Sequence, residues 1–175
     1  MLFSKNIGED SNSSFPAIIE RGSKMKIIFL DIDGVLNSAS WNRHLRDNHE
    51  KKYYMYELLC QEMILHLQDI VFTTNAKIVL SSSWRLSKRC MTMLEEQLRP
   101  YNLEIFDKTI SDPTGERGDE IKEWLSRHPE VTYFVILDDD SDMSDVKDHL
   151  IKTTFQYGLQ SEHVIKAIEM LTSKN

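Results

Sequence analysis

The sequence predicts an α/β fold: a mostly parallel, five-stranded sheet covered by helices on both faces. Two observations predict it. Five short runs rich in apolar and β-branched residues are interspersed with four longer stretches carrying apolar residues at three- and four-residue spacing. Apolar strands alternating with amphipathic helices imply crossover connections, hence parallel strands buried on both sides.

Taken in order, residues 1–24 are polar, Ser/Asn-rich and aperiodic, which predicts a flexible arm. Met25 reads as a plausible alternative start, so the folded domain is expected over 25–175. The first strand is KIIFLD at 26–31. A polar, aromatic insert over 37–56 leads to a helix over 57–73, followed by the strand KIVLS at 77–81. Ser87 is a suitable N-cap for a helix over 87–99, and Pro100 closes it. A short strand at 104–106 precedes a helix over 119–128, capped by Asp119 and closed by Pro129. Strands at 132–137 and 149–154 follow, and Ser161 opens a last helix over 161–172. There is no internal repeat or low-complexity tract.

The bulk numbers narrow the function classes. At 175 residues, with 41% hydrophobic and 28% charged residues, this is an ordinary single globular domain. No apolar run approaches the roughly 20 residues that a membrane span requires, and the N-terminus lacks the apolar core of a secretory signal. Cys60 and Cys90 have neither the number nor the spacing of a disulfide framework or zinc site, so they are expected as reduced thiols in a cytoplasmic protein. A net charge of −7 argues against a broad nucleic-acid-binding surface while leaving room for a local basic groove. None of the six histidines has ligand spacing with another His or Cys. All are expected on the surface or in loops, His44 and His49 in a polar one.

Parallel sheets bind ligands beyond the carboxyl ends of their strands. Asp31 and Asp33 follow the first strand, with Gly34 behind them. Ser81, Ser82, Ser83, Trp84 and Arg85 follow the second, and Asp138, Asp139, Asp140 and Asp142 follow the fourth. Arg117 and Lys122 lie at the start of the helix before that fourth strand. Carboxylates gathered at one rim raise one another's pKa unless something neutralises them. Mg²⁺, a hard cation that accepts oxygen ligands and leaves places for water and phosphate, suits such a set. Hydroxyls and backbone N–H groups at Ser81 and Ser82 can bind phosphate oxygens, and Arg117 or Lys122 can stabilise charge on a transferring group. A carboxylate can attack phosphorus while its neighbour two residues on moves the proton. Gly34 permits a tight backbone exit. Arg85, beside SSSW, is expected to contact phosphate, and Trp84 is expected to pack.

DIDGV at 31–35, IVLSS at 78–82 and VILDD at 135–139 resemble, in order, the first, second and fourth signatures of the haloacid dehalogenase-like (HAD) phosphohydrolase superfamily. More narrowly, FLDIDGVLN, IVLSSSWR, RGDEI..WL and VILDDDSDM resemble the HAD domain of bacterial RNA-repair proteins, over about residues 25–172. The resemblance implies a Rossmann-like three-layer sandwich with a minimal cap or none, and Mg²⁺-dependent phosphomonoester hydrolysis through an aspartyl-phosphate. It implies Asp31 as nucleophile and Mg²⁺ ligand, and Asp33 as general acid/base whose backbone carbonyl also meets the metal. Ser81 and Ser82 would bind the phosphoryl group. Asp139 would complete the metal site, with Asp138 orienting the third-motif cation. That cation is Arg117 or Lys122; Arg117 is preferred because it lies nearest the rim. The register of the acids over 138–142 stays open.

The insert over 37–56 interleaves Trp41, Tyr53, Tyr54 and Tyr56 with Arg43, Arg46, Lys51 and Lys52. It reads either as a flap packing on the core or as a surface that stacks on bases. In the family this resembles, a site with so little cap favours large substrates such as nucleic-acid ends or proteins, while the phosphorylated substrate stays open among nucleic-acid end, nucleotide, protein and metabolite. No membrane and no obligate partner is implied. A receiver-like phosphate-accepting module and a catalytically silent binding domain are the alternatives from other classes. The first fits poorly with the Asp33 spacing, the second with a complete set of acids.

Overall fold

The computed structural model describes residues 25–48, 57–111 and 115–173. The expected arm over 1–24 lies outside them, as do His49, Lys51, Lys52, Tyr53, Tyr54 and Tyr56. The elements are β1 (Met25–Leu30), α1 (Ala39–Asp47), α2 (Gln61–Thr74), β2 (Lys77–Leu80), α3 (Lys88–Leu98), β3 (Ile105–Lys108), α4 (Arg117–Ser126), β4 (Val131–Asp138), β5 (Leu150–Lys152) and α5 (Ser161–Thr172). Every strand pairing is parallel, and the order across the sheet is β3-β2-β1-β4-β5. The Rossmann-like α/β fold expected from the sequence is therefore the fold found.

The apolar runs explain the layers. Ile27, Ile28, Phe29 and Leu30 of β1 are all fully buried, because both faces of the central strand are covered. Alternation along the strand then sorts them. Ile28 and Leu30 join a core built with Leu67 and Ile70 of α2, Leu94 and Leu98 of α3, and Ala167 and Leu171 of α5. Ile27 and Phe29 face the other way, with Val79, Ile136, and Ile121 and Trp124 of α4. Phe29 meets Trp124 edge-on, with ring centroids 5.4 Å apart. The chain runs outward from β1 to β3, then crosses to β4 on the opposite flank, leaving a crevice beyond β1 and β4.

Several boundaries differ from expectation for identifiable reasons. The insert is not all loop: Ala39–Asp47 is helical, with Ser38 accepting from the Trp41 N–H at 3.1 Å. His44 therefore sits on a helix, stacked on Trp41. The helix expected over 57–73 begins only at Gln61. The Leu59 and Cys60 N–H groups are taken instead by Gln97 Oε1 and the Leu36 carbonyl, both at 2.8 Å. Ser87 caps α3 as expected, whereas α5 is capped by Gln160, in a reciprocal box with His163, rather than by Ser161. Cys60 and Cys90 are free thiols.

The start of α4 matters most for the site. Asp119 does not cap it; the helix opens two residues earlier, at Arg117, and its N-cap residue Glu116 makes no capping bond with its side chain. The first N–H groups are met from the loop after β4. Asp142 Oδ2 accepts from Arg117 N at 3.3 Å, and the Asp142 carbonyl accepts from Gly118 N at 3.0 Å. The approach is close enough that a Cβ on Gly118 would lie 2.2 Å from the Met143 carbonyl. Gly118→Ala should gain about 1 kcal/mol in helix propensity and lose more, about 1–3 kcal/mol, to that overlap. Net destabilisation in urea denaturation is the expected result.

Candidate active site

β1 and β4 end side by side. Leu30 pairs with Leu137, and the Asp31 N–H donates to the Leu137 carbonyl at 2.9 Å. Phe29 and Ile136 face α4, so one further step of alternation carries Asp31 and Asp138 to the same side. There they meet the first residue of α4. Arg117 Nη1 donates to Asp31 Oδ1 at 2.7 Å and to the Ser81 carbonyl at 3.0 Å, while its Nε lies 3.2 Å from Asp138 Oδ2.

Of the two candidate cations, Arg117 is the one brought to these carboxylates. Five residues along a helix turn a side chain by about 140°, and Lys122 accordingly leaves the rim. It is exposed, 2.7 Å from Asp145 and 3.6 Å from Asp119.

The segment after β2 folds into a tight 3₁₀ turn over Ser83–Leu86, which divides its residues among different tasks. The Ser82 hydroxyl accepts from the Trp84 N–H at 3.4 Å and lies near enough to the Asp31 carboxyl to favour its charged form. Ser81 Oγ is buried with no hydrogen-bond partner among the described residues, which leaves its donor available to an anion. Arg85 turns inward instead of toward a phosphate. Its side chain is 5% exposed; Nε donates to the Thr109 carbonyl at 3.1 Å, Nη1 to the Ser81 carbonyl and Nη2 to Glu120 Oε2 at 2.5 Å. It braces the strand end against α4. The expected phosphate contact is replaced by this ion pair, whose acidic partner lies 35 residues away in sequence.

Asp33 is half-buried, with Oδ1 accepting from Asn37 Nδ2 at 2.7 Å and Oδ2 from Trp84 Nε1 at 3.0 Å. Neither donor was assigned a site role from the sequence. The signal available for Trp84 was that a buried indole N–H needs an acceptor. Gly34 adopts φ +76°, and a Cβ there would lie 2.4 Å from the Asp139 carboxyl carbon. Its carbonyl is pinned by Thr153 Oγ1 at 2.6 Å.

Asp31, Asp138 and Asp139 each offer an oxygen, and these oxygens lie within 4.8 Å of one another. Burial pushes the Asp31 carboxyl up, opposed by Arg117. Burial, and then the Asp31 charge, push Asp138 up to about 7 despite Arg117. Asp139 is raised by burial and by Asp31. Burial alone would push Arg117 down, but Asp138 and Asp31 outweigh it and raise it. Asp138 Oδ2 also receives no hydrogen bond among the described residues, although the guanidinium is near. Three oxygen donors that one arginine does not neutralise fit a hard divalent cation.

Residues 27–164 match the family described as the HAD domain in Swiss Army Knife RNA repair proteins. The chain belongs to that family. No curated protein and no solved structure matches it. Membership in the HAD family supports a HAD-type hydrolase. Its α/β sheet and acidic cluster occupy the matched span, and no described helix is long and apolar enough to cross a membrane.

Two measurements probe this arrangement. The Asp138 carboxyl is raised in the fold from 3.8 to about 7, so its contribution to stability is present at low pH and lost as pH rises through about 7. In EDTA, the Asp138→Asn variant should lose less melting temperature than the wild type between pH 4 and pH 7.5. Mg²⁺ should raise the wild-type melting temperature most at the upper end of that range. Arg85→Ala removes the buried guanidinium from the Glu120 carboxylate and should cost about 3–5 kcal/mol in urea denaturation.

Proposed function

We propose that this domain is a Mg²⁺-dependent phosphomonoesterase that works through an aspartyl-phosphate on Asp31 and takes a phosphate at a nucleic-acid end. The observation that carries the reading is the contact of Arg117 with Asp31 and Asp138, with Asp33 two residues along the same turn. The donor set Asp31, Asp138 and Asp139, together with the Asp33 carbonyl, would hold Mg²⁺. Bound there, the ion would neutralise the carboxylates and polarise the phosphoryl oxygens.

The chain's own residues supply the remaining chemistry. Arg117 fixes one Asp31 oxygen and offers positive charge where the phosphoryl group gains negative charge. The Ser81 hydroxyl, with no partner among the described residues, lies at the adjoining strand end to donate to its oxygens. One Asp31 carboxylate oxygen forms a bond to phosphorus as the bond from phosphorus to the leaving oxygen breaks, and that oxygen takes its proton from Asp33. Asp33, now ionised, removes a proton from water. The water oxygen bonds to phosphorus, the bond from phosphorus to Asp31 breaks, and inorganic phosphate leaves with Asp31 restored.

The substrate class draws on the family's description, which concerns RNA repair, and on the modest insert, whose helix α1 is only nine residues long. An open rim suits the end of a polymer better than an enclosing cap would. Free nucleotides, phosphoproteins and small metabolites are the competing substrates. A cytoplasmic setting is in keeping with two free thiols.

Purified protein with Mg²⁺ should release phosphate from a 3′- or 5′-phosphorylated oligonucleotide faster than from the matching mononucleotide. Asp31→Asn should lower the rate by about 10³-fold or more while leaving the circular dichroism spectrum intact. Full activity in that variant would exclude Asp31 as nucleophile. Preference for the mononucleotide would move the substrate assignment to free nucleotides.

A further inference from the structure

Trp84 looks like a packing residue: it is 8% exposed and joins the core formed with α2 and α3. Its indole is nevertheless aimed at one atom, Asp33 Oδ2, across 51 residues of sequence. The other two tryptophans also satisfy their indoles, Trp41 on the Leu58 carbonyl at 2.9 Å and Trp124 on Asp107 at 2.7 Å. A paired indole is therefore ordinary in this chain. What distinguishes Trp84 is its acceptor, the carboxylate assigned to move the proton.

The backbone behind that indole is fixed. The Trp84 N–H is taken by Ser82 Oγ, and its carbonyl accepts from Ser87 N at 3.1 Å. Ser82 itself favours the charged form of Asp31, so a single short segment bears on both aspartates of the DID sequence. From the opposite side Asn37 Nδ2 holds Asp33 Oδ1 at 2.7 Å, while Asn37 Oδ1 accepts from the Gly34 N–H at 3.2 Å. One donor on each oxygen defines the plane of the carboxyl group. Each oxygen has two lone-pair directions, so one direction remains on each for a proton.

We infer that Trp84, with Asn37, is a positioning residue that aims the Asp33 carboxyl at the leaving-group oxygen. The inference rests on the phosphomonoesterase reading and adds to it how the proton donor is held. Loss of the indole N–H leaves one Asp33 oxygen without its donor and lets the carboxyl rotate about its last bond. The nucleophile Asp31 and the acids at the end of β4 keep their contacts with Arg117. The consequence is selective. A leaving group that departs readily as an anion needs little help from an acid, whereas a poor one needs the proton as the bond breaks. The ratio kcat/KM covers the steps through phosphoryl transfer to Asp31, where that proton is delivered.

The test compares p-nitrophenyl phosphate with phenyl phosphate, two esters of similar shape whose phenols differ widely in acidity, in the presence of Mg²⁺. The variants are Trp84→Phe and Trp84→benzothienylalanine, the second keeping the indole's shape and replacing its N–H by sulfur. The expected result is a loss of kcat/KM about tenfold larger on phenyl phosphate than on p-nitrophenyl phosphate, in both variants. Mg²⁺ affinity by calorimetry should match the wild type in the benzothienylalanine protein. Equal losses on the two esters, no loss on either, or weakened Mg²⁺ binding would overturn the role of Trp84 alone. A wild-type protein that hydrolyses neither these esters nor a phosphorylated oligonucleotide would overturn the phosphomonoesterase reading and this inference with it.

Discussion

The contact on which the rest of the site depends is the one between Arg117 and the carboxylates that end β1 and β4. Two neighbouring parallel strands that end in aspartate on the same face are a liability by themselves. Each carboxylate loses water on burial and faces the other's charge. One guanidinium, 2.7 Å from Asp31 and 3.2 Å from Asp138, offsets part of that cost. The fork suits the task, since its nitrogens reach two carboxylates and the Ser81 carbonyl at once. Arg117 reaches them only because α4 begins where it does. That in turn depends on Asp142 meeting the helix N-terminus and on Gly118 allowing the backbone of the loop after β4 to come close.

A second support system works from the other side of β1. The four residues Ser81, Ser82, Trp84 and Arg85 lie within one turn after β2, yet they serve different neighbours. Ser82 favours the charged form of Asp31, Trp84 hydrogen-bonds to Asp33, Arg85 ties the strand end to Glu120 on α4, and the Ser81 hydroxyl has no partner among the described residues. Ser82 is still extended, and the 3₁₀ turn over Ser83–Leu86 then sends the Trp84 and Arg85 side chains in well-separated directions. Asp31 and Asp33 are thus held by separate groups, so a change to one need not disturb the other.

The sheet was legible because its strands are buried on both faces, which leaves a continuous apolar signature, and because ligands gather at the carboxyl ends of parallel strands. That rule alone brings Asp31, Ser81 and Asp138 into view. Side-chain partnerships set by distant segments were less legible. Arg85 next to three serines reads as a phosphate ligand until Glu120, in another element, is seen to claim it. The sequence favours Arg117 over Lys122 only for lying nearest the rim; the choice turns on where α4 starts, and Asp142 fixes that from the loop after β4. The helix at 39–47 was hidden by composition: Asn, Arg, His and Asp dominate it, and Leu45 is its one buried residue. Trp84 carried the faintest signal, since packing and hydrogen bonding call for the same residue type.

On the proposed reading, the charge balance explains why the site would take a cation and an anion together. Asp31, Asp138 and Asp139 set against Arg117 leave a net negative charge when all are ionised, and a phosphate monoester adds more. Two ways of relieving it are open to the chain: a proton on Asp138, whose carboxyl titrates near 7, or a divalent cation among the three acids. They compete for the same oxygens, so acid weakens the cation's hold. The phosphate acts in the opposite sense. Its charge favours an occupied cation site, and by linkage an occupied cation site favours the phosphate. Arg117, charged throughout, keeps Asp31 oriented in either state.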